Sequence, residues 1–545
     1  MYMKIFIFFV SIFFFFALSH SLPLSTTSRW IVDAPSGHRV KLMCVNWPGH
    51  LHAMVAEGLH KKPLKHIAAF VASNGFNCVR LTWATYMFTR DNYTNITVSE
   101  SLDSWGLKEA MAGMAENNPE LLKMRLNEAQ RAVVDELGKH EIMVVLDNHV
   151  SLPKWCCDEN DGNGFFGDEY FDPSEWSQGL SMVAKEYKGI PTDTGHVVAM
   201  SMRNELRGPR QNEDDWYKYI EMGAEAIHKE NPDVLVIISG LSFDTNLSFL
   251  KQKPLGLNLG SKLVYEAHWY SFGDPLEKWL HQTNQYCANV TQWFIDKSGF
   301  LVTGPNPVPL FLSEFGFDER GANERDNRYF NCLLGLLAER DLDWALWTLQ
   351  GSYMLREGQV GMEEVYGVLD ANWDQLRDSK IQEKLGLIQQ IAQDPSSNNN
   401  PKNYVMYHPQ SGQCAQVGKD DIYTSDCRNP SQWSHDGDGS PITLKGTSWC
   451  LTISGNGLPV ILSNDCSSHR SIWELVSSSK LHVGAKDEQG TYLCLEWSRS
   501  SNSSAILTKK LLEMVNFSSS LVYFLGGPRV SIYSGQSGNA FYAAL

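Results

Sequence analysis

Two glutamates stand where they could share one reaction. Glu205 ends the run RNE at 203–205, Glu314 lies in LSEFG at 312–316, and each closes an apolar stretch of chain. Cleaving a glycosidic bond takes two carboxyl groups, one a general acid and the other a nucleophile or base on the far side of the bond. The neighbours suit that chemistry. Asn204 can hydrogen-bond a sugar hydroxyl, and Arg80 or Tyr270 can keep one carboxylate ionised while the other holds its proton to higher pH. His149, His268 and Trp347 close three more apolar runs, and Asn46, Trp47, Trp83, Asn148 and Trp269 sit at comparable positions. Taken singly, a Glu after a strand is an ordinary solvated charge and a lone His an ordinary structural one. Only their convergence on one rim would make them a site.

That convergence depends on the elements that carry them. Short apolar runs begin at Lys41, Cys78, Ile142, Val197, Val234, Leu263, Pro309 and Asp343, which makes eight strands. Helical periodicity fills the gaps, as at 63–73, 124–139, 213–229 and 325–339. Eight buried strands with crossovers predict an α/β fold, a (β/α)8 barrel, whose chemistry sits at the C-terminal strand ends. A doubly wound open sheet is the alternative, but no G-x-G-x-x-G follows an early strand.

The whole chain is 545 residues with a net charge of −16, which argues against nucleic acid or an anionic membrane surface as partner. Residues 1–21 read as a signal peptide: Lys4 precedes an apolar run from Ile5 to Leu18, too short to span a bilayer. No later segment is apolar enough to anchor the chain, so the expectation is a secreted protein, extracellular or in a cell wall. N-x-S/T triplets at Asn92, Asn95, Asn246, Asn289, Asn502 and Asn516 agree with that compartment. The barrel is expected over 29–394 and a polar, proline-bearing linker over 395–403. A smaller all-β domain follows at 404–511, and 512–545 form a divergent tail.

The all-β segment repeats itself. Cys414, Cys427 and Trp433 recur as Cys450, Cys466 and Trp473, and a third copy opens at Cys494 without a second cysteine or closing tryptophan. The natural pairings are Cys414 with Cys427 and Cys450 with Cys466, which leaves Cys494 single. In the barrel, Cys44, Cys78, Cys156, Cys157, Cys287 and Cys332 cannot be paired from sequence; the adjacent Cys156 and Cys157 are expected to face different partners or stay reduced. No C-x-x-C or H-E-x-x-H spacing points to a metal, and no cofactor is expected. Of the 17 tryptophans, Trp47, Trp83, Trp269 and Trp347 are expected on the rim of a sugar groove, and Trp433 and Trp473 in the all-β core.

The motif set RNE, LSEFG, VRL at 79–81, DNH at 147–149, AHWY at 267–270 and LWTL at 346–349 resembles glycoside hydrolase family 5, cellulase-type. The resemblance implies a retaining mechanism on a β-linked glycan, cellulose or mannan in type. It makes Glu205 the acid/base and Glu314 the nucleophile. It also places Arg80, His149, Asn204, His268, Tyr270 and Trp347 around the sugar, with Trp347 as its platform. The insertion at 86–124 and the segment from Trp155 depart from compact bacterial members, so they shape the groove and leave the polysaccharide open. The repeats resemble a ricin B-type β-trefoil lectin, which implies a second glycan site, although the closing Q-x-W reads Ser431-Gln432-Trp433 and Ser471-Ile472-Trp473. Two alternatives use the same residues: a non-catalytic carbohydrate-binding wall protein, or a transglycosylase.

Overall fold

The computed structural model describes residues 23–189, 197–391, 393–396, 404–409, 411–419, 421–476, 482–497, 505–510 and 523–525. The signal-peptide segment, nearly all of the linker and tail, and the triplets at Asn502 and Asn516 lie outside the described residues. Eight parallel strands close into a barrel in chain order: β1 (Met43–Trp47), β2 (Cys78–Ala84), β3 (Met143–Val150), β4 (Val197–Ser201), β5 (Leu235–Ile238), β6 (Leu263–His268), β7 (Leu310–Phe315) and β8 (Asp343–Leu346). Every one of the apolar runs read from the sequence holds one of these strands.

The outer layer comes from amphipathic helices. They are α1 (Leu64–Ser73), α2 (Leu126–Lys139), α3 (Pro173–Glu186), α4 (Glu213–Glu230), α5 (Thr283–Lys297) and α6 (Glu324–Arg340). Asp172, Asn212 and Asn323 cap the starts of α3, α4 and α6, each side chain accepting from a backbone N–H of the first turn. The crossover from β5 to β6 carries only a 3-10 turn, Ser248–Lys251.

Alternation along the strands decides what faces inward. Cys44, Cys78, Met143, Val145, Ala199, Ile237, Val264, Phe311 and Ala345 form one apolar cluster inside the barrel. The antiparallel hairpin Leu24–Thr27 and Trp30–Asp33 adds Leu24 and Ile31 to that cluster and plugs the end away from the strand C-termini. The next inward residues up the same strands are polar: Asn46, Arg80, Asp147, Ser201 and Glu266. The intervening residues, such as Val79 and Leu81, pack outward against the helices.

The C-terminal region is all β, in antiparallel sheets around a separate apolar cluster that includes Trp433 and Trp473, both fully buried. Disulfides join Cys414 to Cys427 and Cys450 to Cys466, and Cys494 is buried without a partner cysteine. Tyr407 Oη donates to the carbonyl of Asn331 on α6 at 3.1 Å, so this region rests on the barrel's outer layer.

Candidate active site

Glu314 faces the mouth because β7 is bulged. Its pairing with β6 slips between Ala267 and His268, and its pairing with β8 slips between Trp344 and Leu346. Strict alternation would send Ser313 and Glu314 to opposite faces; the slip brings both inward. Ser313 Oγ meets His268 Nε2 at 3.1 Å, and Glu314 meets Arg80 and Tyr270. Gly316 follows because a Cβ there would stand 2.5 Å from the Trp347 carbonyl oxygen.

Glu205 arrives differently. β4 ends at Ser201, so Glu205 does not close the strand but stands in the loop beyond it, with φ +45°. Arg203 anchors this loop, donating to Asn148 Oδ1 at 3.0 Å and to the Asn163 carbonyl at 2.6 Å. Arg207 completes the hold through the Glu205 carbonyl at 2.8 Å and the Asp158 carbonyl at 3.0 Å. The left-handed residue turns Glu205 so that it and Asn204 both reach the site, which an extended backbone would not allow.

The two glutamates meet around His268: one donor atom each from Glu205, His268 and Glu314 all lie within 4.8 Å of one another. Their surroundings differ. Glu314 Oε1 accepts from Tyr270 Oη at 2.8 Å and Oε2 from Arg80 Nη1 at 3.2 Å, whereas Glu205 Oε1 faces His268 Nδ1 at 2.9 Å. Burial pushes both carboxyls up to about 7, and the positive groups His268 and Arg80 pull back on Glu314, as Arg207 and Arg80 do on Glu205. Two like charges so close do not ionise together readily, and two direct donors favour Glu314 as the ionised member. Arg80 ties the layer together. It donates to Asn46 Oδ1 and to Asn204 Oδ1, each at 3.0 Å, and pairs with Asp147 at 2.9 Å, all of them buried.

The remaining expected residues converge on the same mouth. His149 Nδ1 lies 2.6 Å from Asp147 Oδ2, and burial lowers its imidazole well below the ordinary range, so the ring is neutral. His149 stacks on Trp347 at 5.7 Å and 20°, with His50 on its own ring at 3.9 Å and 28°. Trp347 is 7% exposed and leads a cis peptide to Thr348.

Two expectations need correction. Trp47, Trp83 and Trp269 are not on the groove: alternation sends them outward, and they are buried in the helix-facing core, with Trp47 Nε1 donating to the Glu57 carbonyl at 2.8 Å and Trp269 stacked on Phe294. Cys156 and Cys157 neither part nor stay reduced; they form a vicinal disulfide across a cis peptide, and the Asn204 amide reaches both sulfurs at 3.7 and 3.6 Å. The local loop turns both side chains to one side, which a trans, extended dipeptide would not do. Cys44 pairs with Cys78 and Cys287 with Cys332.

Asp147, Glu266, Ser313 and Asp244 belong to the site's inner network without having been singled out. Asp147 and Glu266 each precede a singled-out histidine by two positions, so alternation alone placed them on the same face. Ser313 is hidden by the bulge and Asp244 by its place in a loop.

A family model for cellulase, glycosyl hydrolase family 5, matches residues 37–352. The chain belongs to glycosyl hydrolase family 5. It is thus a glycosidase acting on O-glycosyl compounds, built on that family's barrel. A glycosyl hydrolase 5 family protein of Chamaecyparis obtusa is 46% identical over 497 residues, 89% of this chain and 88% of the relative, a stretch longer than the barrel itself. Among solved structures, the endocellulase of Pyrococcus horikoshii in complex with cellotetraose superposes with TM-score 0.54 at 18% identity, covering 68% of this chain and 99% of that one. The catalytic domain of the major endoglucanase from Xanthomonas campestris does so with TM-score 0.51 at 21% identity, covering 67% and 98%. These likenesses carry the fold.

Proposed function

We propose that this family 5 enzyme is a secreted, retaining hydrolase of a β-linked glycan of the cellulose or mannan type. The supporting observation is the asymmetry of the glutamate pair: donors within 4.8 Å, with Arg80 and Tyr270 both on Glu314 and an imidazole on Glu205. Retaining pairs stand roughly 5 Å apart, leaving no room for a water between nucleophile and sugar.

Glu314, ionised, attacks C1 of the sugar while Glu205 gives its proton to the glycosidic oxygen, and the C1–O bond breaks as the covalent glycosyl-enzyme forms. Glu205, now a carboxylate, takes a proton from water, whose oxygen displaces Glu314 from C1. Asn204 and His149 hydrogen-bond the sugar, the latter through Nε2 since Asp147 holds Nδ1. Trp347 lies beneath the ring as an apolar platform. The cellotetraose held by the Pyrococcus endocellulase is the reason to begin a substrate screen with β-1,4-glucans. The exposed triplets at Asn92, Asn95 and Asn289 fit a glycosylated, exported chain. The C-terminal all-β region, read as a β-trefoil, would add a second glycan contact.

Kinetics of two variants test the roles. Glu205→Ala should lose activity on natural oligosaccharides yet retain it on aryl glycosides whose leaving groups need no proton, and azide should restore turnover. Glu314→Gln should be inactive on both. Full activity in either variant overturns the assignment.

A further inference from the structure

Behind the acid/base lies a turn that the mechanism above does not use. Three consecutive residues after β5, Ser242, Phe243 and Asp244, have φ of 58°, 58° and 59°, and none is glycine. Side-chain-bearing residues stay in this left-handed region only when their surroundings hold them there. The holds are specific. Ser242 N–H donates to Gln211 Oε1 at 2.8 Å, Phe243 N–H to the carbonyl of Leu206, next to Glu205, at 3.0 Å, and His268 N–H to the Asp244 carbonyl at 3.0 Å. The turn thus touches the backbones of both the acid/base and its histidine.

Its side chain completes the connection. Asp244 Oδ1 accepts from Gly240 N–H, while Oδ2 is buried, has no hydrogen-bond partner among the described residues and stands 3.6 Å from His268 Nε2. Ser313 Oγ meets the same nitrogen at 3.1 Å, and the opposite nitrogen, Nδ1, meets Glu205 at 2.9 Å. Charges face this group from several sides: Glu266, Arg80 and Glu205 around Asp244, and Glu314, Arg80, Glu266 and Asp147 around His268. Burial, with the Glu266 carboxylate adding to it, holds Asp244 far above the ordinary carboxylate range, so it keeps its proton and offers a donor.

We propose that Asp244 is a positioning residue for the acid/base, fixing His268 in the tautomer that carries its proton on Nδ1. Nδ1–H then donates to Glu205 Oε1, and the second carboxyl oxygen of Glu205 is left to protonate the glycosidic oxygen. Asp244 touches no reacting atom; it acts through the ring. The inference rests on Glu205 as the acid/base.

The test compares Asp244→Ala and Asp244→Asn in the full chain, on a natural oligosaccharide and on an activated aryl glycoside, with Glu205→Ala alongside. Asp244→Ala should lose about 10- to 100-fold in kcat on the oligosaccharide, part of the 10²–10⁴ that acid/base catalysis is worth, with KM and aryl glycoside turnover nearly unchanged. Asp244→Asn, which still presents a donor to Nε2, should restore the loss to within about threefold of wild type. Equal losses on both substrates, a loss carried by KM, or no rescue by Asn would overturn the proposal. If Glu205→Ala shows no leaving-group dependence, the acid/base reading fails instead, and the two failures are distinguishable. Should Asp244→Ala not fold, ¹⁵N shifts of the His268 ring in the wild-type protein decide: a protonated Nδ1 and bare Nε2 are expected, and the reverse tautomer contradicts the proposal.

Discussion

The barrel mouth and the C-terminal β region bury polar groups in opposite ways. Around Glu314 the barrel sequesters Arg80, Asp147, Glu266 and Asp244, while the described C-terminal residues bury Thr424, Thr452, Ser471, Thr508, His408 and His435 but no Asp, Glu, Lys or Arg. Burying a charge costs several kcal/mol unless it is paired and hydrogen-bonded. A core that only had to fold would avoid it, as the C-terminal cluster around Trp433 and Trp473 does. The buried ions therefore mark where the chain gives up stability for chemistry. They also explain why the mouth is held by so many cross-strand bonds.

The sharpest way to break this comparison is to remove charge at the mouth. Glu314→Gln should lower kcat by more than about 10⁴-fold, the scale of deleting a nucleophile, with the melting temperature of the barrel unchanged or raised because a buried charge is gone. Steady-state kinetics and calorimetry on the same preparation check both halves.

Tyr270→Phe is the next largest. It deletes one of the two direct donors on Glu314, and a hydrogen bond to a charged group is worth about 1.5–3 kcal/mol, roughly a ten- to hundredfold loss in kcat. Without that donor the Glu314 carboxyl rises further, so the acid limb of the pH profile should move to higher pH. A limb that stays put would mean Tyr270 does not stabilise the carboxylate.

In the unaltered enzyme the pH dependence follows from the pair. Glu314 must be ionised, so activity is lost as pH falls through its pKa; Glu205 must be protonated, so activity is lost as pH rises through its pKa. Burial has raised both to about 7, and the two protons leave in separate steps, with the first step assigned to Glu314. A bell in kcat/KM with both limbs near neutrality is expected, and a profile flat from pH 5 to 9 would contradict the shared-proton picture.

The smallest effect on chemistry should come from the other side of the comparison. Trp473→Ala removes a fully buried indole whose Nε1 donates to the Leu451 carbonyl at 2.9 Å, and should destabilise the C-terminal region by about 3–5 kcal/mol. Turnover of a short soluble oligosaccharide should change less than about twofold. Limited proteolysis and kinetics together distinguish this from a coupled fold.

What could be seen in advance follows one rule and its exceptions. Period-2 apolar runs located all eight barrel strands, and residues at their ends, Arg80, His149, His268 and Tyr270, lie at the mouth. The same alternation, carried through, would have turned Trp47, Trp83 and Trp269 outward and drawn in Asp147 and Glu266. Where the backbone departs from the period, sequence was silent: the bulge that turns Glu314, the left-handed Glu205 and the turn at Asp244 depend on contacts from distant strands. Cysteine pairing was readable within the C-terminal repeats, where partners stand 13 and 16 residues apart. It was not readable for Cys44 and Cys78, which meet only because β1 and β2 are neighbours in register.

The central claim is that two glutamates with donor atoms within 4.8 Å work through a covalent intermediate on Glu314. It is tested most directly by ¹H NMR of a β-1,4-glucan oligosaccharide during its first minutes of hydrolysis. The account predicts that the β-anomer of the new reducing end appears first and only later mutarotates; first appearance of the α-anomer would mean inversion by a single displacement and would contradict it.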